Sequence, residues 1–485
     1  MKPRRFTRRA SALTATTALA AAIALAGCAV GPAYQRPDVD TPAAFKEGQG
    51  SWVVAVPGDL LERGPWWELF QDPDLNALVA QVEVSNQNVA AAVAAYAQAR
   101  ALVAEQRAAL FPSVDLGFSA NRSGSRGGTS TTTSSGTTVT PGGARSSYQV
   151  NIGASWEPDV WGALGRAVDA ADAGAQASLA DLQAARLSAQ GELAADYFNL
   201  RLQDAAIALQ AETTTGYERA LKITQNRYAA GVVARTDVLQ AQTQLANARA
   251  DMLGLQRQRA TLEHAIAVLT GHAPGNFTIA ARTAWQGTVP AVPFDVPSTL
   301  LQRRPDIAAA ERRAAQANEQ IGIAQAAYFP SLHLTANVGT AAATIGELFK
   351  GSALVWSLGA SVAQSIFNGG LTSARVAGAR AGLEQAAARY RQTVLAAFAD
   401  VEDQLVASRV LQQQLALREE ASTAASLVEQ QILNRYQAGQ VNYTDVITAQ
   451  VTAANARRAF IQAQSDRQVA AAALIQSLGG GWRGL

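Results

Sequence analysis

Few places in this 485-residue chain combine side chains at spacings that could do chemistry. The single cysteine, Cys28, directly follows Leu25-Ala26-Gly27. Small residues before a cut and a thiol after it are what a precursor needs to be cleaved and then carry a diacylglycerol. With no second cysteine a disulfide is excluded, and a buried free thiol behind an ordinary signal is the alternative. The three histidines, His264, His272 and His333, form neither His-Glu-x-x-His nor a Cys/His ligand set. No Gly-x-x-x-x-Gly-Lys-Ser/Thr phosphate loop and no Gly-x-Ser-x-Gly elbow occurs. The expectation is a protein that is not an enzyme and carries no metal or cofactor.

The most specific polar pattern occurs twice. Asn226-Arg227-Tyr228-Ala229-Ala230-Gly231 returns as Asn434-Arg435-Tyr436-Gln437-Ala438-Gly439, and Thr236-Asp237-Val238 returns as Thr444-Asp445-Val446. The offset is 208 throughout and 15 of the 24 residues in 226–249 are identical, which makes the chain a tandem duplication. Phe111-Pro112-Ser113 returns as Phe329-Pro330-Ser331 at offset 218, so the loops between copies differ in length. Capping accounts for part of the pattern. Gly231 and Gly439 can end a helix, and Thr236 and Thr444, or the Asp after each, can restart one. Capping does not require the repeated Arg-Tyr pair.

Around these residues the sequence lays out its elements. A basic stretch ending at Arg9 and an apolar, Ala-rich stretch over 10–26 read as a secretory signal. Leu25-Ala26-Gly27-Cys28 resembles a bacterial lipobox, and Ala29 after it is compatible with sorting to the outer membrane. Arg4-Arg5 and Arg8-Arg9 are twin-arginine pairs, but a chain that forms a barrel must cross unfolded, which favours the general secretory route. Without the five cations of residues 1–27, the formal charge of +2 falls to about −3. No Lys/Arg cluster with interleaved aromatics follows, so nucleic acid is not an expected partner. A mean hydropathy of +0.01 excludes a polytopic helical membrane protein. No apolar run of 18 or more residues follows Cys28, so any membrane span must be a closed barrel.

Both copies follow one plan. Helical stretches 75–110 and 298–329 end at Phe-Pro-Ser, where proline stops a helix. Val114, Leu116, Phe118 and Ala120 alternate with small or polar residues, as do Tyr148, Val150, Ile152, Ala154 and Trp156. Leu332, Leu334, Ala336 and Val338, then Leu354, Trp356, Leu358, Ala360 and Val362, repeat the alternation, so four strands are predicted. The Ser/Thr/Gly-rich stretch 121–147 reads as a mobile loop. Residues 163–230 and 371–438 lack proline and predict helices of roughly 100 Å. Return helices at 237–270 and 445–478 carry heptads such as Val238, Leu245, Met252, Arg259 and Ile266, which indicate coiled-coil packing. Asp400, Glu402 and Asp403 predict a solvated face. Trp156, Trp161 and Trp356 suit an aromatic girdle, with corner packing the alternative for Trp161. Four strands of about nine residues can span a bilayer but cannot close a barrel. The chain must oligomerise, and two to four copies are open.

Taken in order, these residues resemble the TolC/OprM outer-membrane factors. The start from Cys28 to Pro37 resembles the NodT-type lipoprotein branch of efflux outer membrane proteins. So do Trp66-Trp67-Glu68-Leu69-Phe70 with Asp72-Pro73-Asp74-Leu75, and Trp156-Glu157-Pro158-Asp159-Val160-Trp161-Gly162. Arg303-Arg304-Pro305-Asp306-Ile307 and Ile366-Phe367-Asn368-Gly369-Gly370 match as well, so the resemblance covers nearly all of the chain after Cys28. It implies an α+β membrane protein: a homotrimer with a twelve-stranded outer-membrane β-barrel, four strands per chain, continued by a long antiparallel α-helical tunnel through the periplasm. The divisions expected are a signal at 1–27, a lipid-anchored segment at 28–73, a first repeat at 74–270, an equatorial insertion at 271–297, a second repeat at 298–478 and a tail at 479–485. The implied partners are a periplasmic adaptor (membrane fusion) protein, an inner-membrane pump and outer-membrane lipid. The implied function is the exit channel of a tripartite, RND-type efflux pump that conducts small molecules passively. The alternatives are the exit duct of a type I protein secretion system and a structural periplasmic coiled-coil lipoprotein.

The resemblance also assigns residues. Arg227, Tyr228, Gly231, Thr236, Asp237, Arg435, Gly439, Asn442 and Thr444 would lie at helical tips that meet the adaptor. Asp445, Tyr436 and Thr448 would lie at a periplasmic gate. Asp445 matches an acidic ring, and three aspartates about a narrow axis repel one another and select cations; its alternative is an acid that merely suits a helix start. Tyr436 matches a tyrosine that ties the mouth shut in some relatives. The chain departs from the family pattern at Thr448, where a second acid is often found, and at Val441, where that tie uses an arginine. Methionine occurs only at 1 and 252, so a methionine- or histidine-lined copper or zinc path is not supported.

Overall fold

A computed structural model describes residues 30–42, 44–47, 65–124, 129–133, 136–140, 144–283, 287–290 and 304–480. Cys28 lies outside the described residues, as does the stretch 291–303 with Arg303. Six strands are described: β1 (Ser113–Gly124), β2 (Thr129–Thr133), β3 (Gly136–Thr140), β4 (Ala144–Trp156), β5 (Ser331–Ala342) and β6 (Leu354–Ala363). Seven α-helices accompany them: α1 (Pro73–Ser85), α2 (Gln87–Ala108), α3 (Ala163–Ala229), α4 (Arg235–Leu269), α5 (Pro305–Ala326), α6 (Leu371–Gln437) and α7 (Tyr443–Ser477). The two halves match element for element: α3 and α6 have 67 residues each, α4 and α7 35, α2 and α5 22.

Residues up to 36, 98–175 and 312–387 form one compact unit. Its sheet is antiparallel in the order β1-β4-β5-β6. Pairing opposes like with like, because side chains alternate between faces every residue. Leu116 lies opposite Ile152, Ile152 opposite Val338, and Val338 opposite Trp356. One face therefore carries a continuous apolar set, much of it exposed in the single chain. The other face is polar and punctuated by glycine. A Cβ on Gly117 would stand 2.7 Å from the amide oxygen of Asn151, and one on Gly153 would stand 2.8 Å from that of Asn337. Each glycine leaves room for the polar side chain of the neighbouring strand.

In the stretch read as a mobile loop, 121–147, the described residues are instead strand. β1 runs to Gly124, β4 starts at Ala144, and β2 and β3 pair from Thr129–Thr140 to Thr133–Gly136. β-branched threonines favour extended backbone, and this outweighs the loop-like composition. Below the sheet, Trp161 stacks on Phe329 at 4.7 Å and donates its indole N–H to Pro330 O at 2.7 Å. It is a corner residue. The Asp159 carboxylate accepts the N–H groups of Leu164 (3.1 Å) and Gly165 (2.6 Å) and so starts α3. The incoming segment is pinned here too, since Val30 N–H donates to Trp161 O at 3.1 Å and Asn318 donates to Pro32 O at 3.1 Å.

Residues 37–97, 176–311 and 388–485 form the second unit. Its main core packs Trp66, Phe70, Leu75 and Val79 against Leu193, Phe198, Ile266 and Ile475. A second core sets Phe45 and Ile307 against Tyr390, Val394, Phe398 and Leu474. The expected helix 75–110 is broken into α1 and α2. Asn86 accepts the N–H groups of Asn88 (2.9 Å) and Val89 (3.1 Å), while its amide donates to Leu269 O at 2.9 Å. An asparagine satisfied this way offers the backbone an alternative to helix. Of the expected helix at 298–329, residues 298–303 lie outside the described residues, and α5 opens at Pro305.

The acidic cluster of α6 is not simply solvated. Asp400 accepts Arg304 at 3.1 Å, and Glu402 accepts the backbone N–H groups of Lys46 (2.7 Å) and Glu47 (2.9 Å). Glu402 holds the N-terminal segment, and Asp400 holds the residue that precedes α5. On α3, burial and then the like charge of Glu192 push the Asp196 carboxyl up to about 6. The folded chain therefore holds a proton there that the unfolded chain has lost, and stability falls as pH rises from about 4 to about 6. Asp196→Asn should flatten that slope and raise the urea midpoint at pH 7. An unchanged midpoint at both pH values would show that Asp196 is not strained.

Candidate functional site

The tips of α3 and α6 end on the same residues in the same conformation. Gly231 and Gly439 both have φ 75°, where a side chain is strained. The N–H of Gly231 donates to Tyr228 O and that of Val232 to Arg227 O, both at 2.9 Å. Gly439 to Tyr436 (3.0 Å) and Gln440 to Arg435 (2.9 Å) repeat the pair. The restart differs from expectation. The N-cap positions are Ala234 and Asn442, which puts Thr236 and Thr444 second and Asp237 and Asp445 third in their helices. The Asp445 carboxylate accepts the Asn442 N–H at 3.2 Å, the carboxylate half of a capping box. A threonine hydroxyl need not cap when the acid at the third position reaches back. One turn on, the Thr448 hydroxyl donates to Thr444 O at 2.9 Å.

Beneath identical turns the two tips differ. Tyr436 is 2% exposed and packs with Ala220, Ala241, Tyr443 and Val446, whereas Tyr228 is 46% exposed. The Arg227 guanidinium lies over the Tyr436 ring at 4.6 Å and donates to Tyr436 O at 2.7 Å. The Tyr436 hydroxyl sits 3.4 Å from that of Thr224, and its ring packs on Tyr443 at 5.6 Å. Burial, and then the neighbouring Tyr436, push the Tyr443 phenol up to about 12, so Tyr443 stays neutral and serves packing. Arg227 and Tyr436, expected at an adaptor surface and a gate, thus face each other across the two copies of one chain. Gly231, Thr236, Arg435, Gly439, Asn442, Thr444, Asp445 and Thr448 are exposed, Asp237 is half-buried, and Val441 borders the apolar cluster.

Sequence reasoning missed a buried ionic network in the second unit. Asp204 accepts Arg201 (2.9 Å), Arg259 (2.6 Å) and the Arg282 N–H (3.0 Å), and Arg201 also pairs with Asp74 at 3.1 Å. One signal could have found it. Arg259 occupies a core position of the α4 heptads, where a charge needs a buried partner.

The sequence profile of outer membrane efflux proteins matches residues 78–272 and 296–480. The chain belongs to the outer membrane efflux protein family. Among curated members, the cation efflux system protein CusC of Escherichia coli O6:H1 is 28% identical over 465 residues, 95% of this chain and 97% of that protein. The toluene efflux pump outer membrane protein TtgC of Pseudomonas putida is 29% identical over 468 residues, 95% and 94% of the two chains. The solved structure of the outer-membrane channel OprN matches with a TM-score of 0.82 at 30% identity, covering 94% of this chain and all of that one. This efflux protein therefore has the fold of an outer-membrane channel, mostly helical with one four-stranded sheet.

Proposed function

We propose that this efflux protein is the outer-membrane exit channel of a tripartite, RND-type pump, a homotrimer anchored through an acylated Cys28 and reaching into the periplasm. The observation that carries the reading is the sheet. It is apolar on one face, polar and glycine-rich on the other, and ends within the chain on β1 and β6. Such a sheet is stable in a bilayer only when its edges are paired and its polar face is turned from lipid. Three copies supply twelve strands, with the glycine-bearing face lining the duct.

The tips would be the periplasmic mouth. Exposed Asp445 from three copies forms a weak acidic ring, and Thr448 adds no second charge. The adaptor meets the exposed residues of the two turns. Relatives at 28 and 29% identity are named for cations and for toluene, so overall likeness does not choose the cargo.

The test is a photo-crosslinker at Gln440 in living cells. Gln440 is exposed in the second turn, and replacing its side chain leaves the Asn442 cap intact. The expected capture is a periplasmic adaptor encoded beside an inner-membrane transporter. Capture of the adaptor of a protein-secretion ATPase would reassign the cargo to polypeptide. No capture, from a protein that runs as a monomer in mild detergent, would overturn the channel.

A further inference from the structure

Two acids, Glu157 and Asp159, stand at the corner where β4 gives way to α3, followed by Trp161. Beside that corner, where α5 gives way to β5, lies a cavity of about 570 Å³. Much of its wall is apolar, built from Leu164 of α3, Ile323 of α5, the Trp161 ring and Ala363 at the end of β6. The charged residues in the wall are Glu157 and Asp159, and among the described residues no lysine, arginine or histidine lines it. A concavity of this size with apolar walls and few polar groups is the usual form of a site for a small molecule.

The two acids are not equivalent. Asp159 is used by the fold, because its carboxylate accepts the N–H groups of Leu164 and Gly165. Glu157 is 48% exposed, and its one ion-pair contact among the described residues is His333 Nδ1 at 3.7 Å, beyond hydrogen-bond distance. One carboxylate of the pair is thus open to a ligand.

Strand register tells which way the cavity faces. Ser331 and Ala363, which line it, oppose each other across β5 and β6. Side chains two apart share a face, so Ser331 goes with Thr335 and Asn337, and Ala363 with Gly359. A Cβ on Gly359 would stand 2.8 Å from Thr335 Oγ1, and the Asn337 amide oxygen stands over Gly153. The cavity therefore lies on the glycine-bearing side of the sheet, the side that lines the duct in the reading given above.

We infer that this cavity is a binding site in the duct wall for drug-sized apolar cations, ring-bearing amines in their protonated form, with Glu157 holding the charge and Leu164 and Ile323 the apolar body. The inference rests on the exit-channel reading. Charge complementarity selects the cation, since an anion would meet two carboxylates and no base. The walls select the body. A bare metal ion takes several oxygen ligands, and here a single open carboxylate faces hydrocarbon. Water in such a cavity wets apolar wall, at a cost that an apolar ligand removes. An exposed carboxylate pulls only modestly, so the solute also leaves, as conduction requires. The duct then retains one class of solute at the foot of its sheet and passes others without pause.

The test uses the full chain in lipid nanodiscs and two fluorophores that share a ring system and differ in the sign of their charge. Dansylcadaverine carries an ammonium and dansyl-6-aminohexanoate a carboxylate. Protein-free nanodiscs give the lipid background. Dansylcadaverine should bind saturably, one per chain, and at least about fivefold more tightly than the carboxylate, the upper end for an exposed ion pair. Glu157→Gln should weaken dansylcadaverine by about the same fivefold and leave the carboxylate probe no weaker. Ala327→Trp, at an exposed position in the cavity wall, should abolish saturable binding of the ammonium. Equal affinities for the two probes, or an unchanged affinity in Glu157→Gln, would overturn the charge recognition. No saturable binding by a trimer that conducts ions in planar bilayers would remove the site and leave the channel reading standing. A protein with the mass of one chain that conducts nothing would take the channel reading with it.

Discussion

Phe118→Arg should remove the protein from the outer membrane, while Ser119→Arg, one residue on, should leave it there. Phe118 lies midway along β1 on the apolar face, 66% exposed in the single chain and opposite Val150. If that face meets lipid, an arginine near the bilayer midplane costs about 2–4 kcal/mol per chain. A trimer carries three of them, so folded, heat-modifiable trimer should fall by more than about tenfold. Ser119 faces the other way, opposite Gln149, and an arginine there should alter conductance and ion selectivity rather than yield. Equal yields for the two variants would mean that the apolar face is not the lipid face.

Asp204→Ala should be the most damaging single change in the helical unit, at about 3–5 kcal/mol. The Asp204 side chain is 1% exposed, between Arg201 (0%) and Arg259 (16%). Removing it strands a fully buried guanidinium whose other partners are Asp74 and Ala280 O, and it frees the Arg282 N–H that holds the segment after α4. Asp204→Asn keeps an acceptor and should cost less. Denaturant midpoints of the full protein in detergent, measured at low and high salt, check both points. A buried pair is screened little, so the loss should persist at high salt. A loss under about 1 kcal/mol that vanishes with salt would place the network among ordinary surface ion pairs.

How much was legible in advance depends on the range over which each feature is encoded. Val114, Leu116 and Phe118 on alternate positions predicted β1, which runs four residues past the expected end, and absence of proline over 163–230 predicted α3 to within a residue. The helix break at Asn86 was not legible, because its side chain is held partly by Leu269 O, 183 residues away. Asp400 and Glu402 read as a solvated face because Arg304 and the Lys46–Glu47 backbone, their partners, lie 96 or more residues distant. The threonine-rich stretch misled for another reason. Its composition says loop, while the β-branched geometry of each residue says strand, and pairing with a facing segment decided between them.

Sequence alone determined the duplication, the order of elements, the strand faces and the left-handed glycines at 231 and 439. Each of these is written in relations among residues a few positions apart, or in a repeated string. Tertiary structure alone decided which of two identical Arg-Tyr pairs is satisfied. The turns at 228–232 and 436–440 have the same hydrogen bonds, yet Tyr436 is covered by Arg227 of the other copy and Tyr228 is open. Local sequence sets a turn's conformation through its own backbone. What covers that turn is set by a chain segment some 200 residues away, and no pattern within the turn records it.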